Sequence, residues 1–245
     1  MKSARFRTVF FLATVMVSLL RAEAERKPHL VELFTSEGCS SCPPADAFLR
    51  ELDKQPFEGL QFLVLEEHVD YWDGDGWRDP FSSHEFTLRQ AQYATRMHVD
   101  PYTPEMVIDG RYEFVGSNRS RASQAIQKAR NAPTIPVRIS SVRVENGKLH
   151  AQIECDSVPE KADVLMAVAL DHAASQVLRG ENGGQHLQHV AVTTKLVKIG
   201  KAEKGSAFSK DVVLEPAKQE SRLIVFLQEP GQGKVIGAAT AQIHP

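Results

Sequence analysis

Two cysteines separated by two serines are the most chemically distinctive feature of this 245-residue chain. Cys39 and Cys42 follow an apolar run at residues 31–34 and precede two prolines and a helical pattern. Backbone N–H groups at the start of a helix stabilise negative charge, so a cysteine placed there ionises more readily. The spacing is typical of a redox-active thiol pair, and a pair of metal ligands is the main alternative.

Three interpretations of this pair stay open. In thiol–disulfide exchange, Cys39 is the attacking thiolate and Cys42 the resolving thiol, with Glu37 and His68 as the nearest groups to tune proton transfer. In soft-metal binding, Cys39, Cys42 and His68 hold copper or zinc. In a non-catalytic binding module, the disulfide is structural. The leading interpretation, exchange, requires a protein or small-molecule thiol or disulfide as substrate and no cofactor.

The elements around the cysteines predict where His68 lies. Apolar residues recur at helical spacing over 45–52, and the segment 61–69 is typical of a buried strand. Two strands joined by one helix form a right-handed unit with parallel strands. We therefore expect His68, at the end of the second strand, to share an edge of the sheet with the cysteines. Asp46, one helical turn after Cys42, is expected to cap or pair locally.

An aromatic loop follows at residues 68–81 and contains both tryptophans of the chain. Its glycines and aspartates exclude a regular element. Trp72 and Trp77 either fill a hydrophobic gap or contact a substrate, and the sequence leaves both roles open. A helix over 83–97 with Ser82 or Ser83 as its N-cap, a hairpin around Asp109-Gly110 and a helix over 120–130 come next.

From residue 135 onward the pattern changes to about seven short strands, which favours an antiparallel sandwich. The predicted strands are 135–144, 148–155, 164–170, 190–199, 207–214, 222–227 and 235–243. Asn146-Gly147 predicts a tight turn between the first two. With 132–134 as a linker, the predicted domains are 25–132 and 135–245.

Further cysteine and histidine side chains belong to this second half. Cys155 shares the apolar face of its strand with Leu149 and Ile153, so we expect a buried and inert thiol. This half also contains His172, His186 and His189, of which the last two are three residues apart in a Gly-rich stretch. A ligand pair is the alternative there, but we expect a solvated loop between strands, because nothing else in the sequence completes a ligand site.

Residues 1–24 are typical of a cleaved signal peptide: a basic start, an apolar core at 9–20 and Ala22-Glu23-Ala24 as the cleavage signal. Cleavage near Ala24 predicts a secreted or periplasmic protein with no membrane span in the mature chain. The net charge of −2 argues against nucleic acid as a partner.

The order of elements resembles the thioredoxin fold, in which a cis-proline loop packs against the CxxC turn. The resemblance implies that Thr103-Pro104 is this loop and that Pro104 shapes the groove for a substrate disulfide. More narrowly, the chain resembles the secreted thioredoxin-like family catalogued as domain of unknown function 1223. The matching segments are 33–46, 68–73, 76–77, 79–81, 102–104 and 180–182, with Leu187 and His189, whereas Gln185 and Ala191 depart from the pattern. The predicted fold class is an α/β thioredoxin-like domain followed by an antiparallel β-sandwich-like domain.

Overall fold

The structure is a computed structural model that describes residues 26–54, 59–74, 76–215 and 219–244. The predicted signal peptide, residues 1–24, lies outside the described residues. Within them are eleven strands and three helices, and the last seven strands follow the third helix without interruption. The strands are β1 (Lys27–Thr35), β2 (Leu60–His68), β3 (Glu105–Ile108), β4 (Tyr112–Val115), β5 (Val137–Glu145), β6 (Lys148–Cys155), β7 (Ala162–Gln176), β8 (His186–Ala202), β9 (Phe208–Leu214), β10 (Ser221–Gln228) and β11 (Val235–Ile243). The helices are α1 (Pro43–Lys54), α2 (His84–Met97) and α3 (Arg119–Ala129).

Eight strands form one mixed sheet in the order β11-β10-β7-β8-β2-β1-β3-β4. β1 pairs with β2 in parallel, and β2 pairs in parallel with β8, where Glu66 lies opposite Val192. The other neighbouring pairs of this sheet are antiparallel. β5, β6 and β9 form a separate three-stranded sheet.

The prediction of a thioredoxin-like α/β domain followed by an antiparallel β-sandwich is wrong. The molecule is mainly β-sheet with three short helices in the described part, and its large sheet incorporates strands from both halves of the chain. The pattern of apolar residues indicates which face of a strand is buried, but every strand edge offers the same backbone hydrogen-bonding groups. Sequence patterns therefore located the later strands without revealing that β8 adds to β2.

Several local predictions are confirmed. β1, α1 and β2 form the expected unit with parallel strands. Ser83 caps α2, and its hydroxyl accepts a hydrogen bond from the backbone N–H of Glu85. Tight turns join β3 to β4 and β5 to β6 at the Asp109-Gly110 and Asn146-Gly147 positions. These features depend on contacts within a few residues, which local patterns encode.

Helices cover both faces of the large sheet. α1 and α3 pack in one core with Val31 and Leu33 of β1. Phe34 points to the opposite face, where it contacts Tyr93 of α2. Adjacent strand residues face opposite sides, which explains this division. A second core joins the three-stranded sheet to β7, β10 and β11, and it contains the free, buried Cys155 that the sequence predicts.

β7 and β8 are longer than predicted because they pair beyond the body of the sheet, from His172 opposite Val190 to Gln176 opposite His186. The connection between them, residues 177–185, therefore reaches the turn that carries the two cysteines. Arg50 of α1 donates a hydrogen bond to the carbonyl oxygen of Gln188 and ties β8 to this helix. In the part of the chain that the structure describes, no helix combines the length and apolarity needed to cross a membrane.

Candidate functional site

The cysteines occupy the turn between β1 and α1 and form a disulfide, with Cα atoms 5.5 Å apart. The Cys42 carbonyl accepts hydrogen bonds from the backbone N–H groups of Ala45 (2.8 Å) and Asp46 (3.1 Å). Cys42 therefore stands at the amino end of α1. Ser40 and Ser41 of this turn are exposed, whereas both cysteines are buried.

The loop at Thr103-Pro104 lies beside this turn. Its peptide bond is cis. The Ser41 hydroxyl oxygen is 3.3 Å from Cys39 Sγ and donates a 3.5 Å hydrogen bond to the Thr103 carbonyl. A Cβ atom built on Gly116 would approach both Ala45 and Pro104, so the proline packs near the start of α1. The structure thus brings Pro104 close to the cysteines, and its part in holding a substrate stays a prediction.

The connection between β7 and β8 covers the other side of the turn. Asn182 is buried, and its side-chain amide donates 2.9 Å hydrogen bonds to the carbonyls of Glu37 and Cys39. The Glu181 carboxylate accepts a 3.0 Å hydrogen bond from the Ser40 backbone N–H. Residues from the second half of the chain therefore fix the conformation of the cysteine turn.

Five ionisable side chains form a buried histidine–carboxylate network next to the cysteine turn. Its members are Glu37, Glu66, His68, Asp79 and His189, each at most 2% exposed. His68 Nδ1 is 2.7 Å from Asp79 Oδ2, and that same oxygen accepts a 2.8 Å hydrogen bond from the Glu37 backbone N–H. His189 Nδ1 is 2.6 Å from Glu66 Oε1, and its Nε2 is 3.2 Å from Glu37 Oε1.

The two predicted proton-transfer residues, Glu37 and His68, thus meet through Asp79. The side chains of Glu37 and His68 contact His189, Asp79 and Glu66 of this network, and Glu37 also accepts a hydrogen bond from Trp77. The network and the cysteine turn are joined through the backbone of Glu37, which is two residues from Cys39.

The two histidines of the network hold their protons tightly. Burial alone would lower the pKa of His189, but the charge of Glu66 and hydrogen bonds to Glu37 and Glu66 raise it to about 11. Burial likewise opposes the charged form of His68, and the charge and hydrogen bond of Asp79 raise its pKa to about 9. Carboxylates around both rings therefore outweigh the cost of burying them in charged form.

The surroundings of Asp46, in contrast, favour the uncharged form of its side chain. Burial and the nearby charge of Glu66 raise the pKa of its carboxyl group to about 7. Its Oδ1 accepts a 2.7 Å hydrogen bond from the Thr35 hydroxyl, which confirms the predicted local pairing. A carboxyl group with this pKa changes its proton occupancy near neutral pH.

The tryptophans of the aromatic loop hold this arrangement together. Trp72 Nε1 donates a 2.7 Å hydrogen bond to the Thr103 hydroxyl, and Trp77 Nε1 donates one of the same length to Glu37 Oε2. Both rings are partly buried. Each tryptophan therefore positions a neighbour of the cysteine turn.

Sequence reasoning missed three participants: Glu66, Asp79 and Asn182. The sequence contained one signal, because a carboxylate such as Glu66 inside an otherwise apolar strand is unusual unless it has a partner. The prediction of a solvated His189 is wrong, since its ring is 2% exposed, whereas His172 and His186 are exposed as expected.

One group of ligand atoms in the described residues is close enough to share an ion. It consists of Glu66, His68 and His189, whose ligand atoms lie within 4.8 Å of one another. Neither cysteine belongs to this group. The structure therefore places His68 with a different set of potential ligands from the set that the sequence suggested.

Comparisons with known proteins identify two solved structures that share this fold over most of the chain. No curated protein matches the chain. Protein AGR_C_4864 from Agrobacterium tumefaciens has a similar crystal structure, with 25% identity, a TM-score of 0.69 and coverage of 88% of this chain and 94% of that chain. HBP35 of Porphyromonas gingivalis is 12% identical, with a TM-score of 0.66 and coverage of 89% and 76%, a likeness of fold alone. A family model matches residues 30–228, so the chain belongs to the family described as protein of unknown function DUF1223.

Proposed function

We propose that the chain is an extracytoplasmic thiol–disulfide oxidoreductase that uses Cys39 and Cys42. The observation that carries this proposal is the position of the disulfide at the amino end of α1, with the Ser41 hydroxyl 3.3 Å from Cys39 Sγ. The partial positive charge at the start of a helix stabilises a thiolate there, which makes the reduced pair reactive.

The exchange reaction proceeds in two balanced steps. The Cys39 thiolate attacks a substrate disulfide, and one substrate sulfur leaves as a thiolate while a mixed disulfide forms. The Cys42 thiolate then attacks Cys39 Sγ and releases the second substrate thiolate. Two electrons pass from the dithiol to the substrate, and the Cys39–Cys42 disulfide re-forms.

Asp46 is the candidate acceptor for the Cys42 proton. It lies four residues after Cys42 in sequence, in the first turn of α1, and both side chains are buried. Its pKa of about 7 suits a group that takes up and releases a proton at neutral pH.

Access to the sulfurs requires movement of the residues that cover them. Cys39 is 1% exposed and Cys42 is fully buried. Glu181 and Asn182 hold the turn from the outside through three hydrogen bonds. Substrate binding must therefore displace this cover or open the turn.

Trapping of a mixed disulfide tests the proposal. Residues 25–245 carrying Cys42→Ser should accumulate a covalent adduct with a model disulfide at Cys39, whereas Cys39→Ser should not. The Cys155→Ser variant is the matched control for a buried thiol. A redox titration with alkylation should give a midpoint within the range of exchange catalysts. A far more reducing midpoint, with no adduct and no turnover, would instead indicate a structural disulfide.

We also propose that residues 1–24 direct export and are removed. The basic start, the apolar core and Ala22-Glu23-Ala24 support this proposal. Expression of the full chain in a bacterium with a periplasm should yield a mature protein whose intact mass equals that of a chain beginning at Glu25. Ala24→Arg should block cleavage, because small residues are needed at the cleavage site. Accumulation of the uncleaved wild-type chain in the cytoplasm would contradict the proposal.

A further inference from the structure

We infer that Glu66, His68 and His189 form a buried binding site for one zinc ion. The proposed ligand atoms are Glu66 Oε1, His68 Nε2 and His189 Nδ1. This site is separate from the cysteine pair and does not depend on the proposed redox function.

Two neighbouring strands bring the three side chains together. Glu66 and His68 are two residues apart on β2 and so point to the same face of the sheet. His189 lies on β8, which pairs with β2 beside Glu66. Each of the three residues is at most 2% exposed. Ligands on two adjacent strands are held by the backbone hydrogen bonds of the sheet rather than by a loop.

His68 Nε2 is an orphaned atom that points into the site. It is buried and has no hydrogen-bond partner, and Glu66 Oε1 is 3.6 Å away, too far for a hydrogen bond. A buried polar group without a partner is costly, and a bound metal ion would satisfy it. The structure therefore contains an unexplained nitrogen where the proposed site needs a ligand.

Two of the three separations between ligand atoms are close to those around a small cation, and all three are within 4.8 Å. Two ligand atoms of a tetrahedral zinc ion are about 3.3 Å apart when each is about 2.0 Å from the metal. The 3.6 Å separation between Glu66 Oε1 and His68 Nε2 is already close to this value. The Glu66 and His189 atoms, 2.6 Å apart, share a proton that zinc would replace, and the pair would separate by roughly 0.7 Å.

Every proposed ligand is oriented by a partner outside the site. His68 Nδ1 is 2.7 Å from Asp79 Oδ2, and His189 Nε2 is 3.2 Å from Glu37 Oε1. Glu66 Oε2 accepts a 2.8 Å hydrogen bond from the backbone N–H of Val190. Histidines that bind zinc commonly donate their second ring N–H to a carboxylate, which fixes the tautomer and raises ligand basicity. Both histidines here have that carboxylate in place.

The ligand set suits zinc rather than magnesium or calcium. Two imidazoles and one carboxylate suit zinc, whereas magnesium and calcium prefer oxygen ligands throughout. Three protein ligands leave a fourth position for water. A surface cavity of about 370 Å³ lies next to the site, and its lining includes Arg50, His172 and His189.

Metal content is the first test. Wild-type residues 25–245 are stripped with a chelator, supplied with a small excess of Zn²⁺, desalted and analysed by elemental mass spectrometry. We expect about one zinc ion per chain and a higher melting temperature than that of the stripped protein. Retention of less than about a tenth of an ion per chain, with no change in melting temperature, would overturn the inference.

Variants then identify the ligands. Glu66→Gln and His189→Gln should each lower zinc affinity at least about tenfold, whereas His186→Gln, at an exposed histidine on the same strand, should retain the ion. The double variant Cys39→Ser/Cys42→Ser should also retain it. Loss of zinc from the double variant, or full retention by both ligand variants, would overturn the assignment. Near-UV circular dichroism establishes whether each variant is folded. If a ligand variant does not fold, the zinc content of the wild-type protein decides whether the site exists.

Discussion

The side-chain amide of Asn182 donates a 2.9 Å hydrogen bond to the carbonyl oxygen of Cys39, across 143 residues of sequence. The same amide donates a second hydrogen bond to the Glu37 carbonyl. One residue of the β7–β8 connection thereby fixes both the cysteine turn and the backbone of a member of the histidine–carboxylate network.

Asn182→Ala should make the disulfide easier to reduce. The substitution removes the Asn182 donor from the Glu37 carbonyl and leaves the Cys39 carbonyl with only the Cys42 backbone N–H, which costs on the order of 1–3 kcal/mol. Because this loss favours opening of the turn, we expect dithiothreitol to reduce Cys39–Cys42 roughly tenfold faster, which corresponds to about 1.4 kcal/mol. Gln176→Ala, which removes exposed hydrogen bonds to Gly184 and Gln185, is the control. Equal reduction rates for both variants would show that Asn182 does not restrain the turn.

Asp46→Asn should slow thiol–disulfide exchange and change its pH dependence. Burial and the charge of Glu66 raise the pKa of Asp46 to about 7, so the wild-type rate should increase with pH as its carboxylate forms. Loss of a general base costs roughly 100-fold at pH 7, and the variant should lack the inflection near pH 7. Glu51→Gln on the same helix removes a carboxylate whose side chain is 45% exposed and serves as the control. An unchanged inflection in Asp46→Asn would assign it to another group.

Glu105→Gln should remove part of the pH dependence of stability. Burial, with the charges of Glu113 and Glu32, raises the pKa of Glu105 from 4.5 to about 7. The folded state thus binds the proton more tightly than the unfolded chain, and the free energy of unfolding falls as pH rises from about 4.5 to about 7. A shift of this size corresponds to about 3 kcal/mol.

Urea unfolding of both proteins at pH 5 and pH 8 measures this effect. Between pH 5 and pH 8, the free energy of unfolding should decrease by about 2.5 kcal/mol more in the wild type than in Glu105→Gln. Parallel changes in the two proteins would show that Glu105 is not protonated in the folded state at pH 5.

Arg89→Met should destabilise the fold strongly. The buried guanidinium of Arg89 donates a 2.7 Å hydrogen bond to Glu32, which also accepts one from the Tyr93 hydroxyl. Removal of the cation leaves Glu32 buried without a counter-charge, at a cost of about 3–5 kcal/mol. Leu88→Ala, at a side chain that is 51% exposed on the same helix, should change stability by less than about 0.5 kcal/mol. Chemical denaturation at pH 7 compares the two, and similar losses would contradict this account.

The sequence by itself determined the features that depend on a few neighbouring residues. The cysteine turn at the start of α1, the cap at Ser83, the turn at Asn146-Gly147 and the burial of Cys155 all follow from local residue types. Family membership also followed from motifs within the sequence, since the matched region spans residues 30–228.

Only the tertiary structure decided which strands are neighbours and which side chains meet. β8 adds to β2 in parallel, so His189 lies beside Glu66 instead of in the solvated segment that its flanking glycines indicated. The backbone hydrogen-bonding groups along a strand edge are the same for every strand, and residue alternation specifies a buried face but no partner. The cysteines could therefore be located from sequence, whereas the histidine–carboxylate network beside them exists only because of that pairing.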